Sequence, residues 1–257
     1  MKIIQVRKII YGLITALFLF TMGRMGLLNP VTLADGWQRV CRFVGYMFPP
    51  RMDILPDILI ALLETVEIAF TGTILGFLFS IPLAFFGSKI LFSPFVVSVV
   101  RLLIGAMRTV PSILYGVIFV IAFGLGKTAG TLGVAAYTIG YLTKLYYEAF
   151  EAVDCEVIEA VRSTGCRRLH LFRFAIIPES ANTIISQLLF MFEYNIRASA
   201  IMGFVGAGGI GYYMLGYIEM LQYQHLFTTL LATLVCVMVI DSISLRVRSK
   251  ILDTEKK

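Results

Sequence analysis

The chain has 257 residues, of which 58% are hydrophobic and only 15% are charged, and its mean hydropathy is +0.86. These values exclude an ordinary soluble domain, in which about a quarter of the residues carry a charge, and they predict a polytopic membrane protein. The net charge of +6 follows the predicted membrane topology, so we do not expect nucleic-acid binding.

Six stretches of the chain are apolar and long enough to cross a membrane, for which a helix needs about 20 residues. They lie at about residues 9–28, 58–86, 94–123, 129–147, 180–204 and 225–245. The first stretch has a long apolar run, contains Arg24 and is followed by no clear cleavage site, so we expect it to be retained. The sequence therefore predicts an all-α membrane protein with about six transmembrane helices.

Basic residues indicate how these helices are oriented. If the N-terminus is cytoplasmic, most lysines and arginines outside the spans fall on the cytoplasmic side, as the positive-inside rule requires. They are Lys2, Arg7, Lys8, Lys89, Lys144, Arg162, Arg167, Arg168, Arg173, Arg246, Arg248, Lys250, Lys256 and Lys257. We therefore predict that both termini are cytoplasmic.

The first outer loop, about residues 29–57, is an exception because it carries Arg39, Arg42 and Arg51. Three aspartates offset this charge, and the Trp37–Phe48 stretch can lie along the membrane interface. We predict three segments: an N-terminal helix and outer loop at 1–57, a membrane domain at 58–248, and a cytosolic tail at 249–257.

The second and third spans carry signals for helix packing and for a helix break. Small residues recur every fourth position on the second span, a pattern suited to close helix contact: Gly72, Gly76, Ser80 and Ala84. We expect this stripe to serve packing rather than transport. In the third span, Pro111 lacks a backbone donor and disfavours helical geometry at the residue before it, which predicts a break close to Arg108.

A charged segment, residues 151–178, separates the fourth span from the fifth. Three apolar residues before Gly165 share one helical face, and three after it line one side of the following segment: Val157, Ile158 and Val161, then Leu169, Phe172 and Ile176. Gly165 itself can supply a turn with positive φ. The pattern predicts a short amphipathic helix, a sharp bend and a second short helix.

The spacing of this segment resembles the cytoplasmic coupling loop of ABC-importer permeases, whose pattern is Glu-Ala-Ala, three residues, Gly, nine residues, Ile, one residue, Leu-Pro. Four positions match: Glu159, Ala160, Gly165 and Pro178. Three others hold substitutes of similar size and polarity: Val161, Ala175 and Ile177. The resemblance implies the type I importer permease fold and a loop that inserts into the ATP-hydrolysing subunit. Its coupling residues would be Glu159, Ala160, Gly165, Leu169, Phe172 and Pro178.

The fifth span carries charged and polar residues where unpaired charge is costly. The order Phe-Glu-x-Asn-x-Arg-x-Ser, from Phe192 to Ser199, resembles the corresponding span of phosphonate-type importer permeases, and the likeness covers about residues 58–248. Candidates for the translocation pathway are Arg108, Glu193, Asn195, Arg197 and Ser199. Glu193 and Arg197 are four positions apart, so a structural ion pair within the helix is the alternative.

Four glycines follow this span: Gly206, Gly208, Gly209 and Gly211. Their spacing is that of the dinucleotide-binding fingerprint, but that motif requires a preceding strand and a parallel sheet. Here the motif follows an apolar span, so we interpret it instead as an irregular outer loop packed at the mouth of the pore.

Nothing in the chain predicts catalysis, a metal site or a cofactor of its own. It has no Gly-x4-Gly-Lys-Ser/Thr motif for nucleotide binding. Its two histidines, His170 and His225, are far apart and lack other ligands at metal-binding spacing. The resemblance implies that ATP and Mg²⁺ are bound by the partner ATPase subunit.

We therefore predict the permease subunit of a bacterial ABC importer for phosphonate or a related phosphorus oxyanion such as phosphite, located in the cell inner membrane. The expected partners are an ATPase dimer, a periplasmic or lipid-anchored substrate-binding protein and a second permease chain, most simply in a homodimer. Two alternatives stay open: a permease for methionine or a quaternary amine, and a polytopic membrane enzyme.

Overall fold

The computed structural model describes residues 2–253, and within that range it contains helices and turns but no β-strand. The predicted all-α class is therefore confirmed. The chain divides into two compact units, Met1–Pro50 and Arg51–Lys257. The predicted cytosolic tail begins inside the last helix, which continues to Asp253, and its residues 254–257 lie outside the described range.

The first unit consists of helix α1, Lys2–Arg24, and helix α2, Pro30–Met47. The sequence predicted an outer loop where α2 lies. A helix forms because Asn29 caps it, accepting a hydrogen bond from the Val31 backbone N–H at 3.0 Å, and because Pro30 stands at the first helical position, where its missing N–H costs nothing.

The second unit contains nine α-helices within the described residues. The helices are α3, Leu55–Gly87; α4, Pro94–Thr109; α5, Ser112–Phe123; α6, Lys127–Glu151; α7, Cys155–Arg162; α8, Arg168–Leu171; α9, Ile177–Gly203; α10, Ile210–Glu219; and α11, Tyr223–Asp253. A single π-helical turn, Phe172–Ile176, joins α8 to α9. Helix α6 is central, since it packs against α3, α4, α5 and α9.

Helices α3 and α6 are held unusually close by the small-residue stripe of α3. A Cβ atom added at Gly72 would lie 2.6 Å from Cγ1 of Val134, and one added at Gly76 would lie 2.5 Å from Cβ of Thr138. Neither position has space for a side chain, because atoms of α6 already occupy the place where the Cβ would lie. The predicted packing role of the stripe is confirmed.

Helices α4 and α5 meet at an angle of 89°. Val110 between them is extended, with φ −81° and ψ 120°, which is the geometry that Pro111 favours in the residue before it. The Met107 carbonyl accepts the Val110 N–H at 3.3 Å and a second hydrogen bond from the Tyr115 hydroxyl at 2.8 Å, so α5 is tied to the last turn of α4. The predicted break is confirmed.

Three helical runs in the described chain are long and apolar enough to cross a membrane: Leu55–Gly87, Arg168–Gly203 and Tyr223–Lys250. They coincide with the second, fifth and sixth predicted spans, and the bent pair α4 and α5 makes a fourth if it counts as one span. Helix α1 contributes a shorter apolar stretch, Ile10–Arg24. Helix α6 is also long, but it is not apolar enough to count among these runs. A total of six spans stays a prediction.

Candidate functional site

The segment between α6 and α9 has the predicted shape of helix, bend and helix. Asp154 caps α7 by accepting a hydrogen bond from the Glu156 N–H at 3.0 Å. Gly165 then adopts φ 72°, a left-handed conformation that is costly for residues with a side chain. The second helix, α8, is only four residues long and continues through the π-helical turn into α9.

One side of this segment is buried in the core of the second unit. The buried residues are Ile158, Leu171, Ala175 and Ile176, which cluster with Leu142, Tyr146 and Phe150. The Phe172 ring packs edge-on against Phe85 and Phe150, with centroids 4.7 and 5.2 Å away. The segment is therefore fixed to α3 and α6 by aromatic and aliphatic contacts.

The other side is exposed and bears most of the residues predicted to touch the ATPase. Glu159, Ala160, Gly165, Leu169 and Pro178 all lie on it. Leu169 was predicted to line one side of this segment together with Phe172 and Ile176; in the structure Leu169 is 63% exposed, whereas Ile176 is buried. The buried face is centred between Leu171 and Ile176, which turns Leu169 toward solvent.

An ion pair that the sequence analysis missed lies beside this segment. Arg101 on α4 pairs with Glu151 at the end of α6 at 2.5 Å, and it donates two further hydrogen bonds to the Gly87 carbonyl at 2.9 and 3.0 Å. Its guanidinium lies 4.1 Å from the Tyr147 ring centroid. Glu151 also accepts the Lys89 backbone N–H at 2.6 Å. The ends of α3 and α6 and the middle of α4 thus meet at this ion pair.

Arg108 lies in the last turn of α4, at the break before α5. Its guanidinium is 5.0 Å from the centroid of the Tyr141 ring, a cation–π distance. Gly140 leaves room for the arginine, because a Cβ there would lie 3.3 Å from Cγ of Arg108. Among the described residues no carboxylate lies within ion-pair distance of Arg108, and its buried Nε has no hydrogen-bond partner.

A row of tyrosines extends from this arginine. The Tyr141 ring lies 4.9 Å from that of Tyr137, which stacks on Tyr194 at 5.5 Å. The Tyr137 hydroxyl donates a hydrogen bond to that of Tyr194 at 3.0 Å. The row joins α6 to α9, and its Tyr141 ring lies next to the Arg108 guanidinium.

Asn195 and Ser199 lie in the contact between α9 and its neighbours. The Asn195 amide donates hydrogen bonds to Thr73 at 2.7 Å and to Thr138 at 2.8 Å, and the residue is fully buried. The Ser199 hydroxyl reaches the Thr65 carbonyl at 3.3 Å. Their polar groups hold α3, α6 and α9 together, while their predicted role in transport stays a prediction.

Arg197 and Glu193 lie on the opposite side of α9, toward α11. The ion pair of Arg197 within the described chain is with Asp241, at 3.7 Å. Glu193 lies one turn away, and its buried Oε1 has no hydrogen-bond partner. The alternative suggested by the sequence, an ion pair between Glu193 and Arg197, does not form in this structure.

The glycine loop after α9 packs tightly against α3, while its predicted place at the mouth of the pore stays a prediction. Gly208 and Gly209 have φ 82° and 73°. Glu64 accepts the Gly209 N–H at 3.3 Å, and the Thr65 hydroxyl accepts the Ile210 N–H at 2.8 Å. Gly206 accepts a hydrogen bond from the Gly126 N–H, and Gly211 directly abuts Gly203 and the Ala200 carbonyl. Within residues 2–253, no three His, Cys, Asp or Glu side chains converge as metal ligands would.

A sequence model of one family matches residues 72–252, and its description is the binding-protein-dependent transport system inner membrane component. The chain belongs to this family. The permease is 33% identical over 221 residues to the phosphite transport system permease protein PtxC of Stutzerimonas stutzeri, which covers 86% of this chain and 80% of PtxC. It is 32% identical over 228 residues to the phosphate-import permease protein PhnE of Mycolicibacterium smegmatis, covering 88% of this chain and 43% of PhnE.

The fold has a solved counterpart. A chain from the inward-facing structure of the MetNI methionine ABC transporter superposes with a TM-score of 0.69 at 19% identity, covering 78% of this chain and 99% of that chain. At this identity the match establishes the fold and not the substrate. The permease is thus a membrane transport component of the ABC importer type, which works with an ATPase and a substrate-binding protein, and the family lends no support to the membrane-enzyme alternative.

Proposed function

We propose that this permease carries phosphite, phosphonate or a closely related phosphorus oxyanion into the cell. The observation that carries this proposal is that relatives matching 86% and 88% of the chain, at 33% and 32% identity, are named as permeases for phosphite and phosphate. ATP and Mg²⁺ would be bound by a separate ATPase subunit, and selectivity would begin at a periplasmic or lipid-anchored binding protein.

The assembly we propose contains two permease chains. Each chain has one coupling segment, and ATPase subunits of this transporter class act in pairs, so two coupling segments are needed. A homodimer is the simplest arrangement, and a heterodimer with a different permease chain is the alternative outcome of a subunit analysis. Both termini would be cytoplasmic, which places the coupling segment on the ATPase side of the membrane.

The exposed side of the coupling segment is the surface proposed to dock on the ATPase. Glu159, Ala160, Gly165, Leu169 and Pro178 would make or shape the contact, and the exposed apolar side chain of Leu169 suits burial in a groove. Phe172 would serve differently from the others, because it connects this surface to Phe85 and Phe150 inside the permease.

Arg108 is the residue we propose to meet the anion directly. An arginine without a carboxylate partner keeps its full charge available, and a guanidinium binds oxyanions through paired N–H groups. Its place at a helix break, against the Tyr141 face, keeps it in position without neutralising it. Glu193, Asn195, Arg197 and Ser199 would support the helices that border the pathway, and the glycine loop from Gly206 to Gly211 would form the outer gate.

Uptake by the complete transporter in proteoliposomes tests the proposal. Vesicles that hold the permease, the ATPase and the binding protein are expected to take up labelled phosphite when ATP is enclosed on the ATPase side, and unlabelled methylphosphonate should compete. Permease vesicles without the ATPase are the matched control and should take up nothing. Uptake of labelled methionine or glycine betaine, with no uptake of labelled phosphite, would instead establish an amino-acid or amine importer.

A further inference from the structure

Helix α2 in the first unit has two chemically different faces, and its apolar face is exposed. Leu33, Trp37, Val40 and Val44 follow one another at helical spacing on one side, with exposed fractions from 44% to 69%. A soluble protein would not leave four such side chains in water on one stripe. This apolar face therefore requires a contact that removes it from water.

The opposite face of α2 is polar and carries net positive charge. Asp35, Gln38, Arg39 and Arg42 lie on it, and all four are exposed. Neither arginine forms an ion pair within the described chain, so both guanidinium groups are available to another charged group. Arginines beside an apolar stripe that contains tryptophan are typical of helices that lie in the plane of a membrane.

The neighbouring helix brings α2 to the membrane. Five residues, 25–29, separate α2 from α1, whose apolar stretch Ile10–Arg24 ends in an arginine. Because this connection is short, the start of α2 must lie close to the end of α1. Helix α2 itself is unsuited to crossing a bilayer, since Asp35, Arg39 and Arg42 lie in its middle.

We propose that α2 is a lipid-binding helix that lies flat at the membrane surface. The stripe from Leu33 to Val44 enters the boundary between headgroups and acyl chains. Arg39 and Arg42 bind the phosphates of anionic lipids, for which arginine offers paired N–H donors. The indole of Trp37, apolar with one polar N–H, sits at the level of the headgroups.

The chain contains a single tryptophan, so the fluorescence of Trp37 reports the position of α2 in the intact protein. The full-length permease is reconstituted into phosphatidylcholine and phosphatidylglycerol vesicles that carry bromine either near the glycerol end or near the methyl end of the acyl chain. We expect strong quenching by the shallow bromine, weaker quenching by the deep bromine, and little quenching by aqueous iodide. Full quenching by iodide with none by either lipid overturns the proposal, as does stronger quenching by the deep bromine.

A paired substitution tests the lipid-charge part of the proposal. In the unmodified permease, Trp37 emission should shift to shorter wavelength as phosphatidylglycerol replaces phosphatidylcholine. The double variant Arg39→Gln with Arg42→Gln should lose most of that dependence while the protein stays in the membrane. Arg51→Gln is the matched control, because Arg51 lies outside α2 and already faces Asp53 at 3.7 Å. Equal dependence in the double variant, or protection of Trp37 only after a binding protein is added, overturns the assignment to lipid.

Discussion

Arg197 on α9 and Asp241 on α11 form an ion pair with 3.7 Å between Nη1 and Oδ2. The two side chains are 48% and 38% exposed. The pair joins α9 to α11, which are separated along the chain by the glycine loop and α10. The pair gives Arg197 a partner outside its own helix. An arginine held in this way is better suited to fixing the last helix against α9 than to binding a passing anion.

Exchanging the two charges tests this role. We expect Arg197→Asp and Asp241→Arg each to lower the amount of permease in the membrane, with a loss of stability of about 1 kcal/mol because the pair is partly exposed. The double exchange restores the attraction and should recover both the amount and the uptake. The measurements are immunoblots of membrane fractions and phosphite uptake. A double variant present at normal amount without uptake would instead place Arg197 in the pathway.

Arg108 is expected to respond differently. Arg108→Gln removes the charge but keeps a polar side chain at the helix break, so the permease should reach the membrane at near-normal amount and lose at least about tenfold in uptake, since a charge-assisted contact contributes more than about 1.4 kcal/mol. Arg108→Lys should retain part of the activity. Arg246→Gln, an exposed change on α11, is the control. Unchanged uptake by Arg108→Gln would remove Arg108 from the pathway.

The bend at Gly165 provides a test of coupling. A Cβ at this position has open space around it within the permease, so inside this chain Gly165→Val acts through the strain of φ 72°, which is about 1 to 2 kcal/mol. We expect the variant to assemble in the membrane but to lose substrate-stimulated ATP hydrolysis and uptake. Gly105→Val is the control, because Gly105 also has open space but has no positive φ. Normal coupling in Gly165→Val would contradict the assignment of this segment.

The ion pair of Arg101 and Glu151 should show strong coupling between its two members. The side chains are 23% and 22% exposed, so removing either one strands the other in a mostly buried position. We expect Arg101→Ala and Glu151→Gln to be clearly non-additive, with an interaction free energy of about 1 to 3 kcal/mol in a double-mutant cycle. Thermal unfolding of the detergent-solubilised permease measures it. If the stability losses of the two single variants add up to that of the double variant, the ion pair contributes little to stability.

The contact of α3 with α6 is expected to tolerate no extra atom at Gly72. A methyl group there meets Val134 and the Thr131 carbonyl at 2.6 and 2.9 Å, and the backbone carbonyl cannot rotate away. Gly72→Ala should therefore cost about 1 to 3 kcal/mol of stability, seen as a lower melting temperature in detergent. Gly105→Ala adds the same atom where nothing opposes it and should leave the melting temperature nearly unchanged.

Local signals in the sequence predicted those parts of the fold that depend on a few neighbouring residues. Pro111 gave the break between α4 and α5, the spacing of Gly72 and Gly76 gave the close contact with α6, and Gly165 gave the bend of the coupling segment. Each follows from steric limits of the residue itself, so it can be inferred without knowledge of the tertiary structure.

Other features depend on residues far apart in the chain and were not predicted. The partners of Arg101 and Arg197 are distant in sequence, and nothing local indicates them. The exposure of Leu169 depends on where the core lies relative to α8, which the period of the apolar residues alone does not show. Helix α2 was predicted only as part of an outer loop with an interfacial stretch from Trp37 to Phe48, although its cap, Asn29, is a local signal.

The π-helical turn between α8 and α9 leaves the helical path unbroken from Arg168 to Gly203, a run of 36 residues. At 1.5 Å per residue this run is about 54 Å long, with the exposed Leu169 at one end and the glycine loop at the other. Because helical structure continues through the turn, a tilt imposed at the Leu169 end would become a sideways displacement that grows with distance along the helix. If that end docks on the ATPase as proposed, a small motion of the ATPase would be converted into a larger motion at the glycine loop.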